Sequence, residues 1–242
     1  MRDDHFGEPV AARYDAELDE MADPRTIGAT VDFLAALAPG GTALEFGIGT
    51  GRIALPLYEH GIDVAGIDLS EAMVAQLRSK SGGDRLEVTI GDFAHMRVAG
   101  RFQLTYLVYN TIMNLTEQDE QVACFANAAA HLEPGGRFVV EVGVPNLQRL
   151  PPGERFRPFT VRDDKVGIDE IDIAQQRLVS HHYRVAEHRA ELRSIPFRYV
   201  WPAELDLMAR LAGMRLLERW ADWDRSAFTS DSDKHVSVWV KG

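Results

Sequence analysis

The segment Leu44-Glu45-Phe46-Gly47-Ile48-Gly49-Thr50-Gly51 decides the predicted fold. It begins in a short apolar run typical of a β-strand, passes through three glycines at alternate positions and leads into a predicted helix. Glycine adopts positive φ angles at little steric cost and lets a ligand approach the backbone closely. In doubly wound α/β folds, such a turn at the carboxyl end of a strand binds nucleotides. The segment therefore predicts a nucleotide-type ligand site on a parallel sheet.

The sequence around this segment alternates short apolar runs with helical patterns, at the spacing of βαβ units. The predicted strands are Thr42 to Phe46, Asp63 to Ile67, Leu86 to Ile90, Gln103 to Tyr109 and Arg137 to Val142. The predicted helices between them are Arg52 to Glu59, Glu71 to Arg78 and Glu117 to Leu132, with Ser70 and Thr116 as N-caps. This alternation predicts a parallel sheet.

The flanking sequence extends this plan at both ends. Upstream, Glu8 to Met21 and Pro24 to Leu37 have the pattern of N-terminal helices. Beyond Val144 the segment Phe156 to Tyr199 is rich in strand formers without helices between them, which indicates antiparallel pairing. The tail returns to the earlier pattern, with a helix at Pro202 to Ala212 and strands at Met214 to Trp220 and Val236 to Val240.

We therefore expect an α/β fold with a doubly wound, mostly parallel seven-stranded sheet, Rossmann-like, and an antiparallel β lid inserted after strand five. The expected division is residues 1–40 as cap helices, 41–145 as the ligand-binding core, 146–200 as the lid and 201–242 as the end of the core sheet.

Composition narrows the class of protein. The chain has 242 residues and a formal net charge of −11, so it can bury a full α/β core, and its acidic balance disfavours a nucleic-acid partner. Cys124 is the only cysteine, which excludes an intrachain disulfide and makes a cytoplasmic location the default expectation. No stretch approaches the roughly 20 apolar residues that span a bilayer, so no membrane partner is expected.

The spacing of the glycines separates two kinds of nucleotide site. A nicotinamide or flavin site has the fingerprint G-x-G-x-x-G, whereas here the third glycine comes one residue early and Arg52 stands in its place. Glu45, two residues before the first glycine, suits a ligand that carries an ammonium group better than a pyrophosphate. Both features disfavour a dinucleotide.

The pattern [DE]-x-G-x-G-x-G at the end of strand one is similar to motif I of the class I S-adenosylmethionine-dependent methyltransferases. Asp68, at the end of strand two, stands where that family has an acidic residue that accepts hydrogen bonds from the ribose hydroxyls. Gly91-Asp92-Phe93 resembles the segment whose Asp meets the adenine amino group while the next residue flanks the ring. Val108-Tyr109-Asn110-Thr111 resembles the motif beside the methionine part of the cofactor. Glu133-Pro134-Gly135-Gly136 resembles the turn that precedes strand five in the family.

The resemblance is to the small-molecule type of this family, such as nucleotide-sugar N-methyltransferases and glycine N-methyltransferase. There a Tyr-Asp pair similar to Tyr14-Asp15 lies in helices that cover the cofactor, which makes Tyr14 a candidate lid residue. The implied cofactor is S-adenosyl-L-methionine, without a metal. Its implied binding residues are Tyr14, Glu45, Gly47, Gly49, Gly51, Asp68, Leu69, Asp92, Phe93, Tyr109 and Asn110.

Methyl transfer to an amine or a hydroxyl gains from a group that removes a proton, and three side chains are candidates. Glu141 lies near the carboxyl end of strand five, although it can equally serve as a structural acceptor. His181 and His182 are adjacent on a predicted lid strand and point to opposite faces, so at most one of them faces a pocket.

The expected function is transfer of a methyl group from S-adenosylmethionine to N or O, possibly C, of a small-molecule acceptor, as in specialised metabolism. A homodimer is possible. Two alternatives stay open: a nicotinamide-dependent oxidoreductase, and a protein that binds S-adenosylmethionine without turnover.

Overall fold

The computed structural model describes residues 5–17, 23–186 and 189–242. The strands in these residues are β1 (Thr42–Phe46), β2 (Asp63–Asp68), β3 (Glu87–Ile90), β4 (Phe102–Leu107), β5 (Leu132–Gly143), β6 (Phe156–Val161), β7 (Lys165–Asp172), β8 (Arg177–Ala186), β9 (Arg189–Arg198), β10 (Met214–Trp220) and β11 (Lys234–Lys241). The helices are α1 (Glu8–Ala11), α2 (Pro24–Leu37), α3 (Ala54–Glu59), α4 (Glu71–Ser79), α5 (Gln118–His131) and α6 (Pro202–Leu211).

The main sheet has seven strands in the order β10-β11-β5-β4-β1-β2-β3. In the sheet, the adjacent strands β5, β4, β1, β2 and β3 pair in parallel with one another. Strand β11 pairs antiparallel with both β5 and β10. The chain reverses its direction of travel across the sheet between β1 and β4, and in open α/β sheets the crevice at this point binds ligands. The fold thus places a ligand site at the carboxyl ends of β1, β2 and β4.

Two apolar clusters cover the two faces of this sheet. On one face α5 and α6 pack against the strands, with Phe125, Phe138 and Trp239 at the centre. On the other face α2 and α3 bury Leu34 and Leu57 against the sheet. Strands buried on both faces are expected to be mostly apolar, and β4 is buried at five of its six positions.

A second, antiparallel sheet in the order β6-β7-β8-β9 forms the lid. Alternate residues of β8 point to opposite faces, and Leu178, Ser180 and His182 share the face that is turned toward the main sheet. The lid therefore presents one face as a wall above the carboxyl ends of the strands.

The predicted fold class is confirmed, with corrections at particular elements. Ser70 caps α4 as predicted, since its Oγ accepts a hydrogen bond from the Met73 amide at 3.2 Å. Thr116 is not the cap of α5: Glu117 takes that position and forms a reciprocal capping box with Glu120.

Two further predicted elements are shorter in the structure. Glu8 to Met21 forms only α1 and a 3₁₀ turn at Asp15–Glu17, and residues 18–21 lie outside the described ones. Strand β4 ends at Leu107 because Tyr109 and Asn110 both adopt positive φ angles, 59° and 58°, which no extended strand accommodates.

In the part of the chain that the structure describes, no helix combines the length and the apolar character needed to cross a bilayer.

Candidate functional site

A cavity of about 1290 Å³ lies between the carboxyl ends of the core strands and the inner face of the lid. Its core side is lined by the glycine turn after β1, by Asp68 and by the segments that follow β3 and β4. Its other side is lined by residues of β6 to β9. Ligand pockets of globular proteins commonly have volumes of about 300–1,000 Å³, so this cavity holds a large ligand or two smaller ones.

The glycine turn forms the floor of the cavity. Gly47 adopts a φ of 73°, and a Cβ atom there would lie 2.7 Å from Thr111 Cγ2, so a larger residue would be strained and would displace Thr111. Gly49, with a φ of 54°, donates its amide hydrogen to Asp68 Oδ2 at 2.7 Å. Both glycines line the cavity, and the exposed backbone there forms a cradle that any side chain would fill.

Asp68 is fixed at the cavity wall by two backbone amides. Its Oδ2 accepts the Gly49 amide, and its Oδ1 accepts the Ser70 amide at 2.8 Å. This arrangement holds an anionic acceptor beside the glycine cradle. The donor and acceptor types suit a ribose whose hydroxyl groups donate to a carboxylate.

The segment after β3 lines the adjoining part of the cavity. Asp92 Oδ1 accepts the Ala94 amide at 2.9 Å, and the Phe93 ring stacks on Phe46 with a centroid separation of 5.8 Å. Buried Asn127 of α5 anchors the segment, since its amide donates to the Phe93 carbonyl at 2.6 Å. Leu69, 42% exposed, lies in the same wall. Leu69 and Phe93 thus provide apolar surface for a planar ring, with Asp92 as a polar partner.

The turn after β4 is a strained segment that the core holds in place. Tyr109 and Asn110 adopt consecutive left-handed conformations, which costs about 1–3 kcal/mol each for non-glycine residues. Glu141 Oε2 accepts the Tyr109 amide at 3.0 Å, and Asn110 Oδ1 accepts the Gly143 amide at 2.7 Å. These bonds tie the turn to β5, and both Tyr109 and Asn110 line the cavity.

Glu141 does not line the cavity, in contrast to the predicted catalytic role. Its side chain is 4% exposed, one carboxylate oxygen receives the Tyr109 amide, and the other lies 3.7 Å from Lys234 Nζ. The strand that carries it places the carboxylate beneath the strained turn. Glu141 is therefore a positioning residue for Tyr109.

Glu45 is also absent from the cavity wall, although the sequence assigned it to the cofactor. It is 3% exposed and accepts a hydrogen bond from the Tyr106 hydroxyl at 3.0 Å. Burial raises the pKa of the Glu45 carboxyl to about 8, against the opposing effect of the Tyr106 hydrogen bond. The carboxyl lies under the glycine turn and links β1 to β4.

The raised pKa of Glu45 predicts a pH-dependent stability. The protonated form is favoured in the folded state, so the stabilisation is complete below the unfolded-state pKa of about 4.5 and is lost as pH rises toward the folded-state pKa of about 8. Between pH 5 and pH 7 the free energy of unfolding should fall by about 2 kcal/mol more in the wild type than in Glu45→Gln.

Urea unfolding without cofactor at pH 5, 6, 7 and 8 measures this difference. Glu87→Gln, which changes an exposed carboxyl at the start of β3, is the matched control and should keep the wild-type slope. If the free energy of unfolding changed equally with pH in Glu45→Gln and wild type, Glu45 would be ionised from pH 5 to pH 8 and the prediction would be wrong.

Gly51 likewise faces away from the cavity. It adopts a φ of 75°, and a Cβ atom there would approach Leu77 Cδ1 of α4 to 2.9 Å. The third glycine therefore permits close packing of α4 against the turn.

Tyr14 lies in the N-terminal segment that crosses the cavity. The segment is tied to the core where Ser70 Oγ donates to the Phe6 carbonyl at 2.8 Å, and to the lid where Arg193 donates to the His5 carbonyl at 2.9 Å. Burial raises the pKa of the Tyr14 phenol above its ordinary value. Tyr14 thus forms part of the cavity wall near the glycine turn.

The two lid histidines face opposite sides of β8, as their adjacency predicts. His182 lines the cavity, with the Phe159 ring 5.3 Å away in an edge-to-face arrangement. His181 lies on the other face, where Nδ1 is 2.8 Å from Ser194 Oγ and Nε2 is 3.5 Å from Glu170. His181 therefore does not line the cavity, while His182 stays a candidate.

Asp169 is a cavity residue that the sequence analysis did not single out. It lines the cavity from β7, and Ser180 Oγ of β8 donates to its Oδ1 at 2.7 Å. Burial raises the pKa of the Asp169 carboxyl, although the Ser180 hydrogen bond opposes this effect. A carboxyl group with a raised pKa in a cleft is typical of sites that bind or move a proton.

The chain is similar to known methyltransferases. A family model described as a methyltransferase domain matches residues 43–136. The CcbJ methyltransferase from Streptomyces caelestis is 37% identical, with 98% of each chain covered and a TM-score of 0.85. Arsenite methyltransferase from Halobacterium salinarum is 27% identical over 179 residues, which are 72% of this chain and 45% of that protein.

A further curated relative is dTDP-3-amino-3,4,6-trideoxy-alpha-D-glucopyranose N,N-dimethyltransferase from Streptomyces venezuelae. It is 32% identical over 98 residues, which are 40% of this chain and 40% of that protein. The matches span less than half the length of these two curated relatives.

The chain belongs to the class I S-adenosylmethionine-dependent methyltransferase family. S-adenosyl-L-methionine is the cofactor of this family, and the comparisons do not favour a nicotinamide oxidoreductase. The glycine cradle, the Asp68 carboxylate and the apolar wall of Leu69 and Phe93 have the chemistry that this cofactor requires.

Proposed function

We propose that this chain transfers a methyl group from S-adenosylmethionine to the nitrogen of a small-molecule amine held under the lid. The observation that carries the proposal is the position of Asp169. Among the described residues of the lid sheet, Asp169 is the carboxyl group that lines the cavity, accepts a hydrogen bond from Ser180 and has a raised pKa. An amine is the acceptor that such a group recognises, since an ammonium ion pairs with it and loses a proton to it.

The cofactor lies on the core side of the cavity in this proposal. Asp68 accepts the ribose hydroxyls, Asp92 and Phe93 hold the adenine, and the Gly47–Gly49 backbone with Tyr109 and Asn110 lies beside the methionine part. When bound, the cofactor supplies a methyl group on a positively charged sulfur, which leaves as a neutral thioether. Tyr14 covers this half of the cavity and excludes water.

The protein's own contribution is alignment and proton handling. Holding two reactants in line converts a bimolecular step into an effectively unimolecular one and can supply about 7–11 kcal/mol of barrier reduction. The acceptor nitrogen must present a lone pair, so the proton on an ammonium has to leave, and Asp169 accepts it. His182, on the same wall, is positioned to pass the proton toward solvent.

The relative from Streptomyces venezuelae supports an amine acceptor, because its name describes dimethylation of the nitrogen of an amino sugar nucleotide. Its match covers 40% of this chain, so the support is for the reaction type and leaves the acceptor to experiment.

An acceptor screen tests the proposal. The protein is incubated with S-adenosylmethionine and sets of amino sugars, phenols and indole-containing peptides, and S-adenosylhomocysteine release is measured. We expect turnover confined to molecules with a basic amine, with a mass gain of one methyl group on nitrogen. Turnover of phenols but not amines would contradict the proposal, and binding of S-adenosylhomocysteine with no turnover on any set would favour a non-catalytic binding protein.

A further inference from the structure

The inner face of the lid changes in character along its strands. At the end where β9 leads toward α6 it is apolar, with Ile171 opposite Leu178 and Leu178 opposite Phe197. Two residues further along, Asp169 lies opposite Ser180. At the outer end Lys165 lies opposite Arg184, and Arg162 follows in the adjoining turn. All of these residues line the cavity.

The charge of this wall is opposite to that of the whole chain. Among the described lid residues that line the cavity, five are basic and two are acidic, whereas the chain carries a net charge of −11. The two acidic ones are Asp169 and Glu191, which lies opposite Arg184. Asp163 and Asp164 belong to the outer turn but are exposed and do not line the cavity.

The pairing of Lys165 with Arg184 is unfavourable by itself. Like charges directly opposite each other in an antiparallel pair destabilise the sheet. Arg162 and Arg184 also make contacts within the protein. The feature that distinguishes this end of the wall is therefore its net positive charge. Arg184 is exposed and Lys165 is half-buried at the rim of the cavity, and a like-charge pair in this position is better suited to a bound anion than to none.

We infer that the outer end of the lid wall, at Lys165, Arg184 and Arg162, is a subsite for a carboxylate or phosphate group of the methyl acceptor. This rests on the proposed function, which places the acceptor amine at Asp169. Asp169 and Lys165 lie four residues apart on β7, so the two subsites are separated by about 13–14 Å at roughly 3.2–3.4 Å per residue. The acceptor is thus an extended molecule with an amine near one end and an anionic group toward the other.

Matched probes of the right length test the subsite. Tetraglycine spans about 13 Å between its amine and its carboxylate when extended, and tetraglycinamide differs from it only in lacking the terminal charge. A third probe, triglycyl-aminoethyl phosphate, replaces the carboxylate with a phosphate ester. Calorimetric titration of each into the protein saturated with S-adenosylhomocysteine measures binding without any requirement for turnover.

We expect the anionic probes to bind wild type at least about tenfold more tightly than tetraglycinamide, and the tighter of the two identifies the anion. The preference should fall to about threefold or less in Lys165→Gln and Arg184→Gln. It should also shrink between 20 mM and 300 mM NaCl, because salt screens exposed charges. Arg215→Gln, which changes an exposed arginine on β10, is the control and should keep the wild-type preference.

Equal binding of charged and neutral probes, or no binding of either, overturns the inference. Asp169→Asn should weaken tetraglycine and tetraglycinamide alike and leave their ratio unchanged, which separates the amine site from the anion site. If the anionic preference is present but no amine is ever methylated, the subsite stands and the proposed function fails.

The melting temperature gives a second readout. Lys165→Gln should raise it by about 2 °C at low ionic strength, because the substitution removes a like-charge pair. A lowered melting temperature would show that Lys165 has an internal counter-charge and would contradict the inference.

Discussion

Replacing Asp68 by alanine should weaken S-adenosylhomocysteine binding about 1,000-fold. The carboxylate accepts the Gly49 and Ser70 amides at 2.7 and 2.8 Å, and the proposed cofactor position adds the ribose hydroxyls. Hydrogen bonds to a charged group contribute about 1.5–3 kcal/mol each, so losing two of them costs about 4 kcal/mol or roughly three decades in Kd. The expected loss of affinity arises from the direct contacts with the ligand and from the hydrogen bond by which Asp68 orders the glycine turn.

Calorimetric titration with S-adenosylhomocysteine measures this effect. Asp63→Ala removes an exposed aspartate at the other end of the same strand and should leave the affinity unchanged. Gly49→Val should be as damaging as Asp68→Ala, because valine disfavours a φ of 54° and its Cβ would lie 3.3 Å from Met73 Cε. Wild-type affinity in both Asp68→Ala and Gly49→Val would show that the cofactor binds elsewhere.

Replacing Asp169 by asparagine should lower kcat/KM for the amine acceptor by a factor of about 10² to 10³. Asparagine is nearly isosteric and can still accept the Ser180 hydrogen bond, but it neither pairs with an ammonium ion nor accepts a proton. Loss of a positioned proton acceptor costs about 10² to 10⁴-fold in rate. The affinity for S-adenosylhomocysteine should stay at the wild-type value, since Asp169 lies on the lid side of the cavity.

Initial rates with the amine acceptor found in the screen, followed by S-adenosylhomocysteine release, measure this loss. Glu170→Gln is the matched control: the neighbouring carboxylate points to the opposite face, where it pairs with Arg155 at 2.9 Å. We expect Glu170→Gln to stay within about threefold of wild type. Comparable losses in the two variants would mean that the lid is merely destabilised and that Asp169 has no specific role.

The core could be predicted from sequence because its signals are local. The apolar runs of β1 and β2, the glycines of the turn and the Ser70 cap each specify their own element, and the βαβ alternation then fixes the parallel sheet. The placement of Asp68, Leu69, Asp92 and Phe93 at one edge follows from strand direction alone.

Other features depend on contacts between distant parts of the chain. Tyr109 follows an apolar strand pattern, and its left-handed conformation is stabilised by Glu141, 32 residues later, which no local pattern indicates. Glu45 differs from a ligand-contacting carboxylate only in its burial against Tyr106, a residue of β4.

The role of Asp169 depends on which face of the lid turns inward, and that is set by the pairing of β7 with β8 and by the docking of the lid on the core. Sequence alternation identifies two faces of a strand but does not say which one is covered. The lid, where this information is missing, is also where the acceptor binds in the proposed function.

A crystal structure of the protein with S-adenosylhomocysteine tests the central claim most directly. We predict that both ribose hydroxyls lie within about 3.2 Å of the Asp68 carboxylate, with the adenine beside Leu69 and Phe93. The sulfur atom of the ligand should face the lid wall that carries Asp169. A ligand bound away from Asp68, or a sulfur that faces away from the lid, would contradict the account.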